Sequence, residues 1–245
     1  MSAAEILIVL AVGSVASIIK STTGMGYPLI LLPVLALFMD VSEAVALVAV
    51  PNFVLNAKLV WSLRSSRRES TTLIGFLSGG VVGAVIGTLL LSVLSDDVLR
   101  VMLIVVIVAF LANRLRTQNP SLSPRVAHAL GPFVGVSAGV FQGAAGISGP
   151  IVSPWFLSTG LSRDGYIFSV ATVFSMIGLA QIIVLGAQER LGGDSTVVSL
   201  LLIPLAFALF PFGRKLRERV SLAMFEYAIL VLLAASALSL AIKLV

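Results

Sequence analysis

Long apolar stretches separated by short polar turns recur along the whole chain. Stretches of about 20 residues are the length at which an α-helix crosses a bilayer, whereas membrane barrel strands need only about ten. The pattern predicts helical segments at 4–19, 28–39, 42–63, 71–94, 97–113, 126–141, 150–160, 164–187, 196–212 and 221–243. We therefore expect an all-α integral membrane protein.

The order of these segments repeats in two halves. The longest polar stretch, residues 114–125 with Pro120 and Pro124, lies between them. Each half holds five segments, and the first two in each half are short and flank an interruption. Because five is odd, the second half should run opposite to the first. The prediction is two inverted-topology repeats, 1–118 and 119–245, with short broken helices that meet near the midplane of one membrane domain.

The interruptions are rich in glycine and proline. The first is Gly24-Met25-Gly26-Tyr27-Pro28, and the second is Gly146-Ile147-Ser148-Gly149-Pro150. An offset of 122 residues places Gly146 on Gly24 and Pro150 on Pro28 without a gap. Interrupted helices at membrane depth must be buried in protein or line a wet cavity. Matching interruptions in two halves therefore indicate the binding site of a transporter.

Composition and charge agree with a membrane protein. Only 11% of the 245 residues are charged, against about 25% in soluble domains. The net charge of +5 does not indicate nucleic-acid binding, because the basic residues occupy short loops. The positive-inside rule makes the following residues cytoplasmic: Arg64, Arg67, Arg68, Arg114, Arg116, Arg125, Arg163, Arg214, Lys215, Arg217 and Arg219. We expect a multi-pass protein of the cell membrane with both termini outside and the first apolar segment retained.

The residues around the interruptions suit an anion. Proline just after the break favours a new helix start, and the free amide groups of a helix start attract negative charge. The predicted substrate-binding residues are Thr22, Thr23, Gly24, Met25, Gly26, Asn52, Gln142, Gly143, Gly146, Ser148, Gly149, Ser175 and Gln181. Lys20 would attract the anion, although a lysine at a helix end can also extend to the membrane surface. The polar side chains have alternative roles in capping helices or in bonding helix to helix.

Other residue types argue against chemistry beyond binding. The chain has no cysteine and a single histidine, His128. Without clustered ligands or a paired acid and base, we predict no metal, no cofactor and no enzymatic activity. Gly75, Gly79, Gly83 and Gly87 recur every four residues, and this spacing predicts close packing against another helix.

The two interruptions, with the short helices after them, resemble those of the TauE/SafE family of sulfite exporters and related permeases. Pro33 follows the first motif at the family distance, and Pro154 follows the second one residue early. Tyr27 and Pro28 stand where the family has glycine, as do Ser148 and Pro150. The resemblance covers essentially the whole chain. It implies transport of sulfite, sulfonates or related sulfur oxyanions.

These observations together favour a transporter of a small sulfur-containing anion that works by alternating access in a lipid bilayer. A non-transporting membrane scaffold is the alternative in which the glycines serve packing alone. An anion channel would use the same cavity with steady currents. An intramembrane enzyme would need acid and base groups that the sequence does not place together.

Overall fold

The computed structural model describes residues 1–70, 72–114, 122–216 and 222–244. These residues form ten α-helices and one 3-10 helix, with no strand among them. The helices are α1 (Ala3–Thr23), α2 (Tyr27–Leu35), α3 (Val41–Ser62), α4 (Leu73–Val93), α5 (Asp96–Arg114), α6 (Pro124–Ala145), α7 (Gly149–Leu157), α8 (Arg163–Ala187), α9 (Gly193–Leu216) and α10 (Leu222–Ile242). The 3-10 helix, Arg64–Glu69, lies between α3 and α4.

Five of the described helices are long and apolar enough to cross a membrane. They are α1, α3, α4, α8 and α9. The prediction of an all-α multi-pass membrane protein is thus confirmed. Helices α3 and α8 are the most buried of the five, with 61% and 67% of the apolar window inside the protein. A helix in that position places its polar side chains in the protein interior.

The helices that precede the interruptions are longer than expected. Apolar segments were predicted to end at residues 19 and 141, but α1 continues to Thr23 and α6 to Ala145. The prediction that both segments flanking each break are short is therefore wrong for α1 and α6. Polar residues such as Lys20 and Gln142 do not themselves stop a helix. The chain leaves the helix only at the glycine that can adopt a left-handed conformation.

That glycine is the same in both halves. Gly24 has φ 82° and its N–H donates to the carbonyl of Lys20, at 2.8 Å. Gly146 has φ 70° and its N–H donates to the carbonyl of Gln142, at 2.9 Å. Positive φ is strained for residues with a Cβ, so glycine is favoured at these two helix ends. The cap reverses the chain into the short helices α2 and α7.

Three turns lie at one end of the helix bundle, which we name the Asp96 face: those between α2 and α3, between α4 and α5, and between α8 and α9. The Asp96 carboxylate accepts a 2.7 Å hydrogen bond from the backbone N–H of Val41 at the start of α3. Lys243, beyond α10, donates to the carbonyl of Leu37, beyond α2. Gln188 at the end of α8 donates to Ser92 at the end of α4, at 3.2 Å.

The opposite end, which we name the Glu69 face, contains the turns between α3 and α4 and between α7 and α8, together with the start of α6. The Glu69 carboxylate accepts a 3.3 Å hydrogen bond from the N–H of Ser162, just before α8. Leu122, just before α6, donates its N–H to the carbonyl of Ser158, just after α7, at 2.8 Å. Ser70 and Ser169 share a 2.6 Å hydrogen bond. Helix α3 therefore runs from the Asp96 face to the Glu69 face, and α8 runs in the opposite direction.

The two broken segments are hairpins that open toward opposite faces. In the first, Gly26 returns toward α1, where a Cβ added to it would lie 3.2 Å from Ile19 Cγ2. Helix α2 then ends near Leu37 at the Asp96 face. In the second, the bond from Leu122 to Ser158 holds the start of α6 beside the end of α7 at the Glu69 face. The two hairpin tips enter the bundle from opposite sides.

Helices α4 and α6 touch backbone to backbone. A Cβ added to Gly79, Gly83 or Gly87 would lie 1.9–2.2 Å from a carbonyl oxygen of α6. The packing role predicted for this glycine series is confirmed. A second series on α6, at Gly131, Gly135, Gly139 and Gly143, faces α4 in the same way and was not predicted. The close contact holds the second hairpin firmly against a spanning helix.

Candidate functional site

The tips of both hairpins line one cavity inside the bundle. The first contributes the stretch around Gly26, and the second contributes the stretch around Gly149. The space between its lining atoms is about 320 Å³, a volume that includes the solvent at its open side. Its lining residues are Lys20, Met25, Gly26, Pro28, Leu29, Asn52, Gln142, Ile147, Ser148, Gly149 and Phe174. The two interruptions, 122 residues apart in sequence, are thus neighbours in space.

Lys20 provides the only charge among the lining residues that the structure describes. Its side chain is 0% exposed, near the end of α1. The ammonium donates to Asn56 Oδ1 at 2.8 Å and to Asn52 Oδ1 at 3.3 Å, and it lies 5.8 Å from the centre of the Phe174 ring. An ammonium has three N–H donors. Two are satisfied by amide oxygens, which leaves one N–H with no hydrogen-bond partner among the described residues.

No acidic side chain among the described residues forms an ion pair with Lys20. Burial of an ionised ammonium without a counter-ion is costly, and buried charges in proteins are normally paired. The two asparagines solvate the ammonium but do not neutralise it. A charged side chain inside a membrane protein is a candidate functional residue for this reason. The arrangement leaves a positive charge beside a cavity, where an anion would compensate it.

The asparagines hold one another in place. Asn56 Nδ2 donates to the Asn52 carbonyl at 2.8 Å and to Asn52 Oδ1 at 3.0 Å, one helical turn away on α3. Both residues are buried. These bonds direct the Asn56 amide nitrogen away from Lys20 and its oxygen toward the ammonium. The pair therefore presents two oxygens to one cation.

A second polar network closes the tip of the other hairpin. Gln142 Nε2 donates to the Gly146 carbonyl at 3.0 Å, and Gln142 Oε1 accepts from the Ser148 hydroxyl at 2.9 Å. Gln181 of α8 donates to the carbonyls of Gln142 and Gly143, at 2.9 and 3.3 Å. These bonds cap the end of α6, where the Gln142 carbonyl accepts from Gln181 as well as from the Gly146 N–H. Gln142 and Ser148 also line the cavity.

Helix α7 begins at the cavity wall. A Cβ added to Gly149, its first residue, would meet no atom within 4 Å. Pro150 follows at the second position, and the N-cap Ser148 makes no side-chain bond to the helix. The first N–H groups of a helix have no partner within it and attract anions. Pro150 has no N–H, and the N–H groups of Ile151 and Val152 both donate to the Ser148 carbonyl at 3.0 Å. The Gly149 end of α7 therefore offers the backbone N–H of Gly149 on an open wall opposite the first hairpin.

The predicted site residues fall into three groups. Those that line the cavity are Lys20, Met25, Gly26, Asn52, Gln142, Ser148 and Gly149. Those outside the lining are Gly24, Gly143, Gly146, Ser175 and Gln181. The side chains of Thr22 and Thr23 lie outside the described residues. Four residues that line the cavity were not predicted: Pro28, Leu29, Ile147 and Phe174. Asn56, which accepts a hydrogen bond from Lys20, was not linked to that lysine.

The residues outside the lining have identifiable contacts. A Cβ on Gly146 would lie 2.5 Å from Leu32 Cδ1, and one on Gly143 would lie 2.5 Å from the Thr88 backbone nitrogen. Both glycines thus fit tight packing. Ser175 is buried, and its hydroxyl has no hydrogen-bond partner among the described residues. Lys58, the other lysine on the helices around the site, lies over the rings of Phe207 and Phe210, at 4.1 and 4.5 Å.

No group of three or more metal-binding side chains was found among the described residues. A comparison with family models matches residues 9–240 to the model described as sulfite exporter TauE/SafE. Comparison with curated proteins found no match, and comparison with solved structures found none either. The matched region contains both interruptions and all the residues that line the cavity. The chain belongs to the TauE/SafE family of sulfite exporters, which are membrane transporters of sulfur anions rather than enzymes.

Proposed function

We propose that this protein carries a small sulfur oxyanion, such as sulfite or a sulfonate, through the cavity by alternating access. The observation that carries the proposal is Lys20, a fully buried cation with only neutral partners, on the wall of that cavity. An anion in the cavity would supply the missing counter-charge. The family membership supports a sulfur anion as the substrate.

Each polar group has a distinct part in this proposal. The Lys20 ammonium attracts the anion and donates its remaining N–H. At the open start of α7, the backbone N–H of Gly149 donates to the anion from the other hairpin. Ser148 and Gln142 hold the second tip in shape through their mutual bond. Asn52 and Asn56 position the ammonium. Apolar walls at Phe174 and Leu29 keep these interactions in a medium of low dielectric constant.

We propose that residues 1–118 and 119–245 form inverted repeats. Several features support this. Helices α2 and α7 both span nine residues, and each follows a left-handed glycine cap. Helix α4 packs on α6 as α9 packs on α1, and α4 packs on α8 as α9 packs on α3. The first hairpin opens at the Asp96 face and the second at the Glu69 face. A movement of one half against the other would open the cavity to each face in turn.

The Glu69 face is proposed to be cytoplasmic. Arg64, Arg67 and Arg68 belong to the 3-10 helix at this face, and Arg163 begins α8 there. Asp96, Asp97 and Glu43 occupy helix starts at the opposite face. Positive charge in short loops remains on the cytoplasmic side of a membrane. Both termini would then lie outside the cell membrane.

Uptake of radiolabelled sulfite into proteoliposomes tests the proposal. The parent protein should give saturable uptake, and Lys20→Gln should abolish it while keeping the same size-exclusion profile. Lys58→Gln is the matched control, because it removes a membrane-embedded lysine that does not line the cavity. Equal uptake by Lys20→Gln and the parent would overturn the role of Lys20. Steady single-channel currents would favour a channel, and no flux of any small oxyanion would favour a scaffold.

A further inference from the structure

The net charge of the residues that line the cavity determines which ionic form of an oxyanion can bind there. Lys20 is the only charged residue among the described residues that line it. The remaining lining side chains are neutral and mostly apolar. The ammonium therefore provides one positive charge, and no other described residue of the lining supplies a second charge to balance a multiply charged ligand.

From this balance we infer that the cavity accepts singly charged oxyanions and rejects doubly charged ones. This inference rests on the proposed transport function and adds the charge state of the substrate to it. A monoanion beside Lys20 forms a neutral pair. A dianion would leave one negative charge without compensation in a medium of low dielectric constant, where an unpaired charge is strongly unfavourable. Hydrogensulfite and alkyl sulfonates meet the requirement, whereas sulfate and fully ionised sulfite do not.

Among the described residues, the other ionisable groups near the cavity do not change this charge balance. The hydroxyl of Tyr27 is directed toward α1, 3.9 Å from the position of a Cβ built on Gly13. Lys58 of α3 lies over Phe207 and Phe210 of α9. The Tyr166 hydroxyl of α8 shares a 2.8 Å hydrogen bond with Ser153 of α7. The others lie near the starts of their helices: Glu5 of α1, Glu43 of α3, Arg125 and His128 of α6, and Arg163 and Asp164 of α8. None of these side chains lines the cavity.

The dependence of binding on pH separates the ligand's ionisation from that of the protein. Sulfite loses its second proton near neutral pH, whereas methanesulfonate remains a monoanion and sulfate remains a dianion. If the cavity selects single charge, sulfite affinity should fall as pH rises through this ionisation. Methanesulfonate affinity should fall less over the same interval, because it reports only changes in the protein's own charge.

Calorimetric titration of the purified full-length protein in detergent makes the comparison. Methanesulfonate should bind, and sulfate should bind at least about 100-fold more weakly, as expected for an uncompensated buried charge. Sulfate affinity equal to that of methanesulfonate would overturn the inference, as would a parallel fall in affinity for methanesulfonate and sulfite with pH.

The same protein in proteoliposomes distinguishes this failure from failure of the proposed function. If labelled sulfite is taken up but sulfate competes as well as methanesulfonate, the proposed transport function is supported and the inferred selection of singly charged oxyanions is wrong. If Lys20→Gln binds methanesulfonate as tightly as the parent does, the proposed anion site is wrong, and so is the inferred charge selection that depends on it.

Discussion

Lys20 and Asn56 are 36 residues apart in the chain and are joined by a 2.8 Å hydrogen bond in the interior of the protein. The bond connects the end of α1, just before the first interruption, to the middle of α3. It fixes the ammonium in position without neutralising it, since the Asn56 amide carries no charge. A carboxylate in the same place would hold the lysine equally well but would remove its attraction for an anion.

The substitution Asn56→Asp tests this distinction. The new carboxylate would form a buried ion pair with Lys20, and the pair would compete with any substrate anion for the ammonium. We expect sulfite uptake to fall by at least about tenfold, which corresponds to about 1.4 kcal/mol of lost binding. Thermal unfolding should show a folded protein, because the ion pair with Lys20 offsets the loss of the two hydrogen bonds that Asn56 donates to Asn52.

The control for this experiment is Asn56→Ala, which removes the bond without adding charge. It should impair uptake less than Asn56→Asp, since the cation remains and Asn52 still accepts from it. If the alanine variant loses more activity than the aspartate variant while both are folded, the charge of Lys20 is not what the substrate recognises.

A second prediction concerns the open wall at Gly149. A Cβ there would meet nothing within 4 Å, so Gly149→Ala should fold normally, and Gly149→Leu should place its side chain in the cavity. We expect the leucine variant to lose nearly all uptake at a yield of folded protein close to that of the parent. Gly192→Leu is the matched control, because its Cβ also meets nothing within 4 Å and it lies in the turn before α9. Normal uptake by Gly149→Leu would contradict the placement of the substrate path.

Substitution of Gly146 by leucine should have a different effect from substitution of Gly149, although both residues belong to the same sequence motif. Its φ of 70° is strained for leucine, and Leu32 lies 2.5 Å from the position of a Cβ. Loss of flux in Gly146→Leu would therefore reflect damage to the fold, and the comparison of folded yields with Gly149→Leu separates the two causes. Sequence alone could not make this distinction, because both residues belong to one glycine-rich motif.

Helix positions could be predicted because local apolar runs determine them. The ten apolar segments correspond one to one with the ten helices described. The ends of α1 and α6 were missed because a helix tolerates Lys20 and Gln142, and the stop depends on the backbone angle of the next glycine. A repeated glycine that can end a helix was the informative signal, rather than the first polar residue.

The contacts of the site were harder to predict, because they join distant segments. Asn52 and Asn56 were recognisable as a pair one turn apart, but nothing local indicated that both accept from Lys20. Phe174 is an apolar residue on an apolar helix and carries no signal for cavity lining. The second glycine series on α6 could have been found, since its spacing of four matches that on α4.

The contact between α4 and α6 gives a third prediction, about stability. A Cβ on Gly79 would lie 1.9 Å from the carbonyl oxygen of Pro132, so Gly79→Ala must push the two backbones apart. We expect a loss at or above the upper end of the usual overpacking cost of about 1–3 kcal/mol, visible as a lower melting temperature in detergent. Gly75→Ala is the control, because its Cβ would meet Pro132 at an ordinary 3.6 Å. Similar melting temperatures for the two variants would contradict the close contact.

The last prediction concerns the orientation of the two faces, and the absence of cysteine from the chain makes it direct to measure. Ser65 is exposed in the 3-10 helix at the proposed cytoplasmic face, and Ser95 is exposed in the turn before α5 at the Asp96 face. In intact cells, a membrane-impermeant maleimide should label Ser95→Cys but not Ser65→Cys. After permeabilisation both should react, which shows that each thiol is accessible. The reverse labelling pattern would invert the proposed topology. Labelling of both in intact cells would mean that the two faces do not lie on opposite sides of the membrane, and alternating access between them would then be impossible.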